Sequence, residues 1–291
     1  MLRLVLPKGS LEEATMALFS EADLPVSRSS AVNYTAKIND PRIESVRILR
    51  PQEIPHYVEE GTFDFGITGR DWVEETNSNV LSLGELAYSK LTTNPIKVVL
   101  AVSQQSGYNS VGDLPQGVRI STEYPVLTRN FLERNGIEAD VQLSYGATEA
   151  KVPDIADGIV EISETGSALR AAGLKVIETI LVSYTELIAC PQTCEDPEKL
   201  HAMRQIYSLL SGVLEARGNA LLKMNVSSEC LDGVIAILPA MQAPTVNKLF
   251  NGEGFAVETV VPKTEINLLI PALKDAGASD IVELAISKIV A

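Results

Sequence analysis

The sequence predicts an α/β protein, with a two-lobed unit of alternating strands and helices followed by a smaller ferredoxin-like domain of βαββαβ order. Three observations carry that expectation. Short β-branched runs alternate with helical segments in two successive series up to Gly173. One long amphipathic stretch, residues 195–218, then breaks the alternation. Beyond it come a strand, a helix, two short strands about Gly252 to Gly254, a helix and a last strand.

LRLVLP (2–7) reads as a buried strand, and SLEEATMALFSEAD (10–23) as a helix with Ser10 as N-cap and Glu13 completing a capping box. SVRILR (45–50) is a strand, PQEIPHYVEEG (51–61) a helix closed by Gly61, and FDFGITG (63–69) a strand. A helix follows from Arg70 or Asp71, then a strand near Val80 to Leu86. IKVVLAVS (96–103) opens the second series. GVRISTEYP (117–125) is its next strand, VLTRNFLERNG (126–136) a helix and ADVQLSYG (139–146) a strand. ATEAKVPDIA (147–156) is a short helix, DGIVEIS (157–163) a strand, and TGSALRAAG (165–173) a helix ending at Gly173. This alternation predicts parallel sheets in two lobes, with a ligand cleft between them. In residues 195–218, Leu200, Met203, Ile206, Tyr207, Leu210, Val213 and Leu214 recur at helical spacing. In the last domain ALLKMNVS, GFAVETVVP and IVELAISKIV are strands, AMQAPTVNKLF reads as a loop, and SECLDGVIAILP and EINLLIPALKDAG are helices, the second with Thr264 as N-cap. Nothing in that domain looks catalytic.

Composition narrows the function. The chain has 291 residues, 45% of them hydrophobic, which is enough for real cores. Its formal charge of −14 argues against nucleic acid or an anionic membrane as a partner. Any phosphate site must therefore rest on a few local cations, backbone amides or a metal ion. MLRLVLPKGS is too short an apolar run for a targeting segment, and no run approaches membrane-span length. Cys190, Cys194 and Cys230 point to reduced cytosolic thiols, with no second Cys or His pair near the first two. With only His56 and His201, a His-rich metal centre is excluded, and neither histidine neighbours a nucleophile elbow.

Five stretches, all at strand C-terminal ends or the turns after them, carry the chemistry. In LPKGS, Lys8 and Gly9 make either an anion site at a helix start or a plain tight turn. In RPQEIP, Arg50 places a guanidinium where it can grip a phosphate. DFGITGRD ends a strand with Gly66 and Gly69, for a ligand or for close strand–helix packing. STEYPVLTRNF puts Glu123 and Tyr124 at a strand end, where the tyrosine can stack on a base or fill a lobe edge. In DGIVEISETGSALRAAGL, the amides of Gly166, Ser167 and Ala168 after Thr165 suit a phosphate, and an acid four residues earlier suits a sugar hydroxyl.

The runs LPKGSL, RPQEIPHYVEEGTFDFGITGRD, STEYPVLTRNFL, YGATEA, DGIVEISETGSAL with AGL, ILPAMQAPTV, VVP and AGASDI resemble, in order over essentially the whole chain, the long-form ATP phosphoribosyltransferases, the first enzymes of histidine biosynthesis. The resemblance implies a catalytic unit like type II periplasmic binding proteins, with lobe I at 1–90 and 181–216 and lobe II at 91–180. It implies a regulatory domain at 217–291. It also implies transfer of phosphoribose from phosphoribosyl pyrophosphate to N1 of the adenine of ATP with Mg²⁺, feedback inhibition by histidine, a cytoplasmic enzyme, and a homo-oligomer between dimer and hexamer. By the same resemblance Glu161 and Asp157 are catalytic, and Thr165, Gly166, Ser167, Ala168, Lys8 and Gly9 bind phosphoribosyl pyrophosphate. Arg50, Gly69, Glu123, Tyr124 and Glu149 bind ATP, and Asn225, Ala243, Thr245 and Asp280 bind histidine. No direct metal ligand is assigned, and Glu164 is read as solvent-facing. Where the family often has Ser-Thr-Gly-x-Thr-Leu, this chain has Glu164-Thr165-Gly166-Ser167-Ala168-Leu169. Two hydroxyls are gone and a carboxylate is added; Ser167 replaces one of them. Two other classes stay open: a two-lobed module that binds an anionic metabolite without chemistry, and an inert regulatory subunit.

Overall fold

A computed structural model describes residues 1–30, 33–89, 95–239, 243–250 and 252–290. The chain packs as two units, Met1–Ser20 with Leu24–Tyr207, and Glu21–Asp23 with Ser208–Ala291.

The larger unit holds two sheets. Its elements begin with β1 (Leu2–Pro7), α1 (Glu12–Glu21), β2 (Thr35–Ala36), β3 (Ile43–Leu49), α2 (Ile54–Glu59), β4 (Phe65–Gly69), α3 (Arg70–Thr76) and β5 (Leu81–Leu86). The second series is β6 (Ile96–Ser103), β7 (Val118–Thr122), α4 (Pro125–Arg134), β8 (Ala139–Leu143), β9 (Gly158–Ser163), α5 (Ser167–Ala171), β10 (Leu174–Ser183), β11 (Thr185–Ala189), α6 (Pro191–Cys194) and α7 (Pro197–Arg217), whose residues from Ser208 on belong to the smaller unit. The first sheet runs β2-β3-β1-β4-β11-β5 and the second β10-β6-β9-β7-β8. This is the expected two-lobed α/β architecture. β1 is apolar nearly throughout because β3 and β4 flank it in parallel and both faces are covered.

The expectation of parallel sheets is corrected. β11 runs antiparallel to β4 and β5, and β6 antiparallel to β9 and β10. The antiparallel strands arise from the return of the chain: β10 forms an edge of the second sheet, and β11 goes back into the first between β4 and β5. The sequence reading assigned neither strand. The Ser10–Glu13 capping box is also corrected. The helix starts at Glu12, whose carboxylate accepts the Gly9 amide at 3.4 Å and pairs with Arg28.

Among the described residues, helix α3 joins the lobes of this unit through Trp72, Glu75 and the buried Asp71, which takes the Tyr124 hydroxyl. Trp72 packs on the core of the second lobe, beside Tyr124 and Leu127. The Glu75 carboxylate accepts the amides of Val126 and Leu127 at 3.0 and 2.9 Å. Helix α4 has Pro125 in its first turn and no capping side chain of its own, so an acid from the other lobe satisfies its free amides.

The smaller unit contains β12 (Asn219–Val226), α8 (Leu231–Ile237), β13 (Thr245–Lys248), β14 (Phe255–Pro262), α9 (Ile266–Asp275) and β15 (Ala278–Ala285). Its antiparallel sheet, β13-β14-β12-β15, has the ferredoxin-like order. β12 alternates with period two: Ala220, Leu222, Met224 and Val226 point into a core shared with Val257, Val261, Leu269 and Leu273. Helix α9 begins after Glu265 without a side-chain cap, so the Thr264 cap is corrected too. Among the described residues, no helix is long and apolar enough to cross a membrane.

Candidate functional site

The centre of the second sheet sets the site. β9 lies between β6 and β7, and its C-terminal end opens into the turn before α5. Gly166 sits there at φ 71°, in the left-handed region, and a Cβ on it would lie 2.8 Å from Arg170 Nη1. The Thr165 and Ser167 hydroxyls hydrogen-bond at 2.9 Å, and the Ser167 amide reaches Thr165 Oγ1 at 3.4 Å. Helix α5 is only five residues long, so its macrodipole is small. The positive charge at the turn comes instead from Arg170, whose Nη2 donates to the Thr165 carbonyl at 3.0 Å. The sequence reading passed over this arginine. Thr165, Ser167 and Ala168 are exposed, so a ligand reaches them freely.

Glu161 lies half-buried one turn of chain before this loop. Its carboxylate accepts the Ile162 amide at 3.0 Å. Burial pushes the Glu161 carboxyl above the usual carboxylate range; the Ile162 amide and the Thr148 hydroxyl pull it back, and the charges of Glu123 and Glu149 push it up again. Three predicted site acids thus share one electrostatic field. Among the described residues, no group of three or more His, Cys, Asp or Glu side chains is close enough to hold a metal ion by itself.

Asp157 does not join them. It precedes β9 at the opposite end of the strand from the turn, about 13 Å from Glu161 at the usual rise per residue. Its carboxylate accepts the Arg119 amide at 2.9 Å and the Arg119 guanidinium at 3.2 and 2.7 Å, and that arginine lowers its pKa. The placement of Asp157 beside the same sugar is therefore corrected. Glu164 is not simply solvent-facing either. It is half-buried, accepts the Ser89 hydroxyl at 3.2 Å and lines a cavity.

That cavity, of about 250 Å³, is lined by Ser10, Leu11, Gly69, Asp71, Trp72, Glu164 and Ser183 among others. Gly69 is needed because a Cβ there would collide with the Asp71 carboxylate. Asp71 is buried, and burial raises its pKa against hydrogen bonds from Ser183 and Tyr124. Ser183 Oγ donates to it at 2.6 Å and Tyr124 Oη at 2.8 Å. The Asp71 amide in turn donates to Ser183 Oγ at 3.0 Å. Tyr124 is fully buried against Trp72, with ring centroids 4.6 Å apart. It cannot stack on a ligand, so that reading is corrected: at the strand end the tyrosine turns inward to satisfy the buried Asp71.

A second cavity, of about 660 Å³, is lined by Arg50, Gln52, Trp72, Glu75, Glu123 and Tyr145 among others. It brings Arg50, at the end of β3, together with Glu123, at the end of β7. Lys8 follows β1 and lies 4.1 Å over the Tyr34 ring, beside Gly9 at φ 93°. Glu149 stands in a short 3-10 turn, Thr148–Lys151.

In the smaller unit, Asn225 Nδ2 donates to Asp280 Oδ2 at 2.9 Å, so these two meet. Thr245 begins β13, two strands from Asn225 and three from Asp280, roughly 10 and 14 Å across the sheet at the usual strand spacing, and Ala243 is exposed just before it. Part of the ILPAMQAPTV run, residues 240–242, lies outside the described residues.

The profile described as "ATP phosphoribosyltransferase" matches residues 50–212, and "HisG, C-terminal domain" matches residues 216–288. The chain is 47% identical to an ATP phosphoribosyltransferase of Pelotomaculum thermopropionicum over 289 residues, 99% of each chain. It is 44% identical to one of Desulforudis audaxviator, again over 99% of each chain. Among solved structures it is similar to an ATP phosphoribosyl transferase (HisG:HisZ) complex from Thermotoga maritima. There the TM-score is 0.62 and the identity 26%, covering 74% of this chain and 99% of that one.

Proposed function

Because the chain belongs to the ATP phosphoribosyltransferase family, we propose that it transfers phosphoribose from phosphoribosyl pyrophosphate to N1 of the adenine of ATP. The observation that supports this most is the exposed Thr165–Ala168 turn, with Arg170 folded under it and Glu161 at the end of the same strand. The exposed turn and the Arg170 guanidinium hold the 5′-phosphate. Glu161 faces the ribose. The C1′–N1 bond forms as the C1′–oxygen bond breaks, and pyrophosphate leaves with the electron pair. Positive charge grows on the sugar in between, and a carboxylate with two acids at its back stabilises that charge. A ring nitrogen needs positioning rather than deprotonation, which suits a site without histidine. Arg50 draws the ATP phosphates, with Glu123 across the same cavity.

The like-charged set of Glu161, Glu123 and Glu149 suits a divalent cation brought in by the substrate. When bound, Mg²⁺ neutralises charge on the departing pyrophosphate. Histidine binds the smaller unit and inhibits. Asn225 and Asp280 lie toward one edge of its sheet and Thr245 on the other, which favours a site between neighbouring subunits of a homo-oligomer, dimer to hexamer. The enzyme works in the cytoplasm. An inert regulatory subunit is the second reading; the Glu164 and Ala168 departures are what speaks for it, and the full-length match to relatives named ATP phosphoribosyltransferase speaks against it. Purified protein given ATP, phosphoribosyl pyrophosphate and Mg²⁺ separates the two by its release of pyrophosphate.

A further inference from the structure

We propose that Trp72 is the aromatic wall on which the purine of the acceptor nucleotide stacks, with Tyr124 as its buried backing. This rests on the reaction proposed above and names a substrate contact that the sequence reading left to Tyr124.

Among the described residues, Trp72 is the one residue common to the linings of the two cavities described above. On one side lies the cavity with Glu164, the first residue of the phosphate turn, and with Gly69. On the other lies the cavity with Arg50 and Glu123. An acceptor base placed where these two spaces meet has Arg50 on one side for its phosphates and the start of the phosphate turn, Glu164, on the other. The indole occupies that junction and is half-buried, so part of it remains open to a ligand.

The ring is also held from behind. Tyr124 packs against it at 4.6 Å with planes inclined by 32°. The Tyr124 hydroxyl is fixed on Asp71 at 2.8 Å, and Asp71 takes the Ser183 hydroxyl at 2.6 Å. Trp72 further packs on the core of the second lobe. A ring already fixed loses little rotamer freedom when a base docks on it. Tyr145 lines the same outer cavity but is 91% exposed, and therefore lacks this preorganisation. Stacking on an aromatic side chain is worth roughly fivefold to a hundredfold or more in affinity per base.

The chain has a single tryptophan, so its emission reports on this position alone. Wild-type protein is titrated with ATP while tryptophan fluorescence is read, and pyrophosphate release is measured in wild type, Trp72→Leu and Trp72→Phe with each substrate varied in turn. Circular dichroism checks folding. The expected result is saturable quenching by ATP. In Trp72→Leu the KM for ATP rises about tenfold while that for phosphoribosyl pyrophosphate stays within about twofold, and Trp72→Phe recovers most of the loss. Should the leucine variant not fold, quenching in wild type and the phenylalanine kinetics decide. Active wild type with unchanged emission, or a folded leucine variant with a normal KM for ATP, overturns the wall. A raised KM for ATP in Tyr145→Leu alone moves the stack to Tyr145. Absent pyrophosphate release in wild type overturns the reaction instead.

Discussion

Replacing Glu161 by glutamine keeps the side-chain shape and removes its charge. The carboxylate stands half-buried, held by the Ile162 amide and the Thr148 hydroxyl and crowded by Glu123 and Glu149. A positive charge growing on the sugar gains from it. At an effective dielectric of about 20 and a separation of roughly 5 Å, a full unit charge gains about 3.3 kcal/mol. Half a charge, appropriate to a partly formed oxocarbenium ion, gains about 1.7 kcal/mol, or roughly 20-fold in rate. Turnover of Glu161→Gln should therefore fall about 20-fold, within a range of about tenfold to a thousandfold, while KM values change less. The assay is steady-state pyrophosphate release with each substrate varied. The pH dependence carries the same sign. Burial holds the Glu161 carboxyl above its ordinary range, so wild-type turnover should fall as pH drops through that raised value. The glutamine variant should lack that acid limb. Stability runs the other way: a raised carboxyl pKa favours the fold when protonated, and that contribution is lost as pH rises through it. Glu161→Gln should thus melt no lower than wild type near neutral pH, with the gap closing on acidification. Unchanged turnover, or an acid limb that survives the substitution, removes Glu161 from the mechanism.

Gly166→Val places a β-branched side chain at φ 71° and against Arg170, so calorimetry should find binding of phosphoribosyl pyrophosphate lost in a folded protein. Normal binding there means the turn is only a helix start. Tyr124→Phe removes a donor from the buried Asp71 and should cost about 1–3 kcal/mol, read as a melting temperature several degrees lower; an unchanged melt contradicts the role given to this bond. Asp280→Asn keeps a residue that tolerates φ 50° but removes the charge, and should weaken histidine inhibition by about tenfold or more at unchanged basal rate. Equal inhibition excludes Asp280 from the effector site.

The element order and the phosphate turn were legible because each is local. β9 runs straight into Thr-Gly-Ser, and Gly166 announces a left-handed turn by its identity. What stayed hidden depends on long-range contacts. Asp71 and Ser183 are 112 positions apart, and nothing in GRDW signals that its aspartate will bury itself and pull Tyr124 inward. Asp157 shares a strand face with Glu161, but a shared face says nothing of which strand end holds the ligand or that Arg119 waits at the other. β10 was missed because register shifts at Val176/Glu178 and Thr179/Leu181 reset its two-residue alternation, so LKVIETILVS shows no clean period. Trp72 carries a weak signal, the tryptophan directly after GITGRD, and its meaning comes only from the two cavities that meet on it.

The most direct measurement is pyrophosphate released when the purified protein meets ATP, phosphoribosyl pyrophosphate and Mg²⁺ together. The account predicts release that requires all three, with one phosphoribosylated ATP formed for each pyrophosphate. A folded protein that binds phosphoribosyl pyrophosphate but releases no pyrophosphate contradicts it, and leaves the chain an inert regulatory subunit.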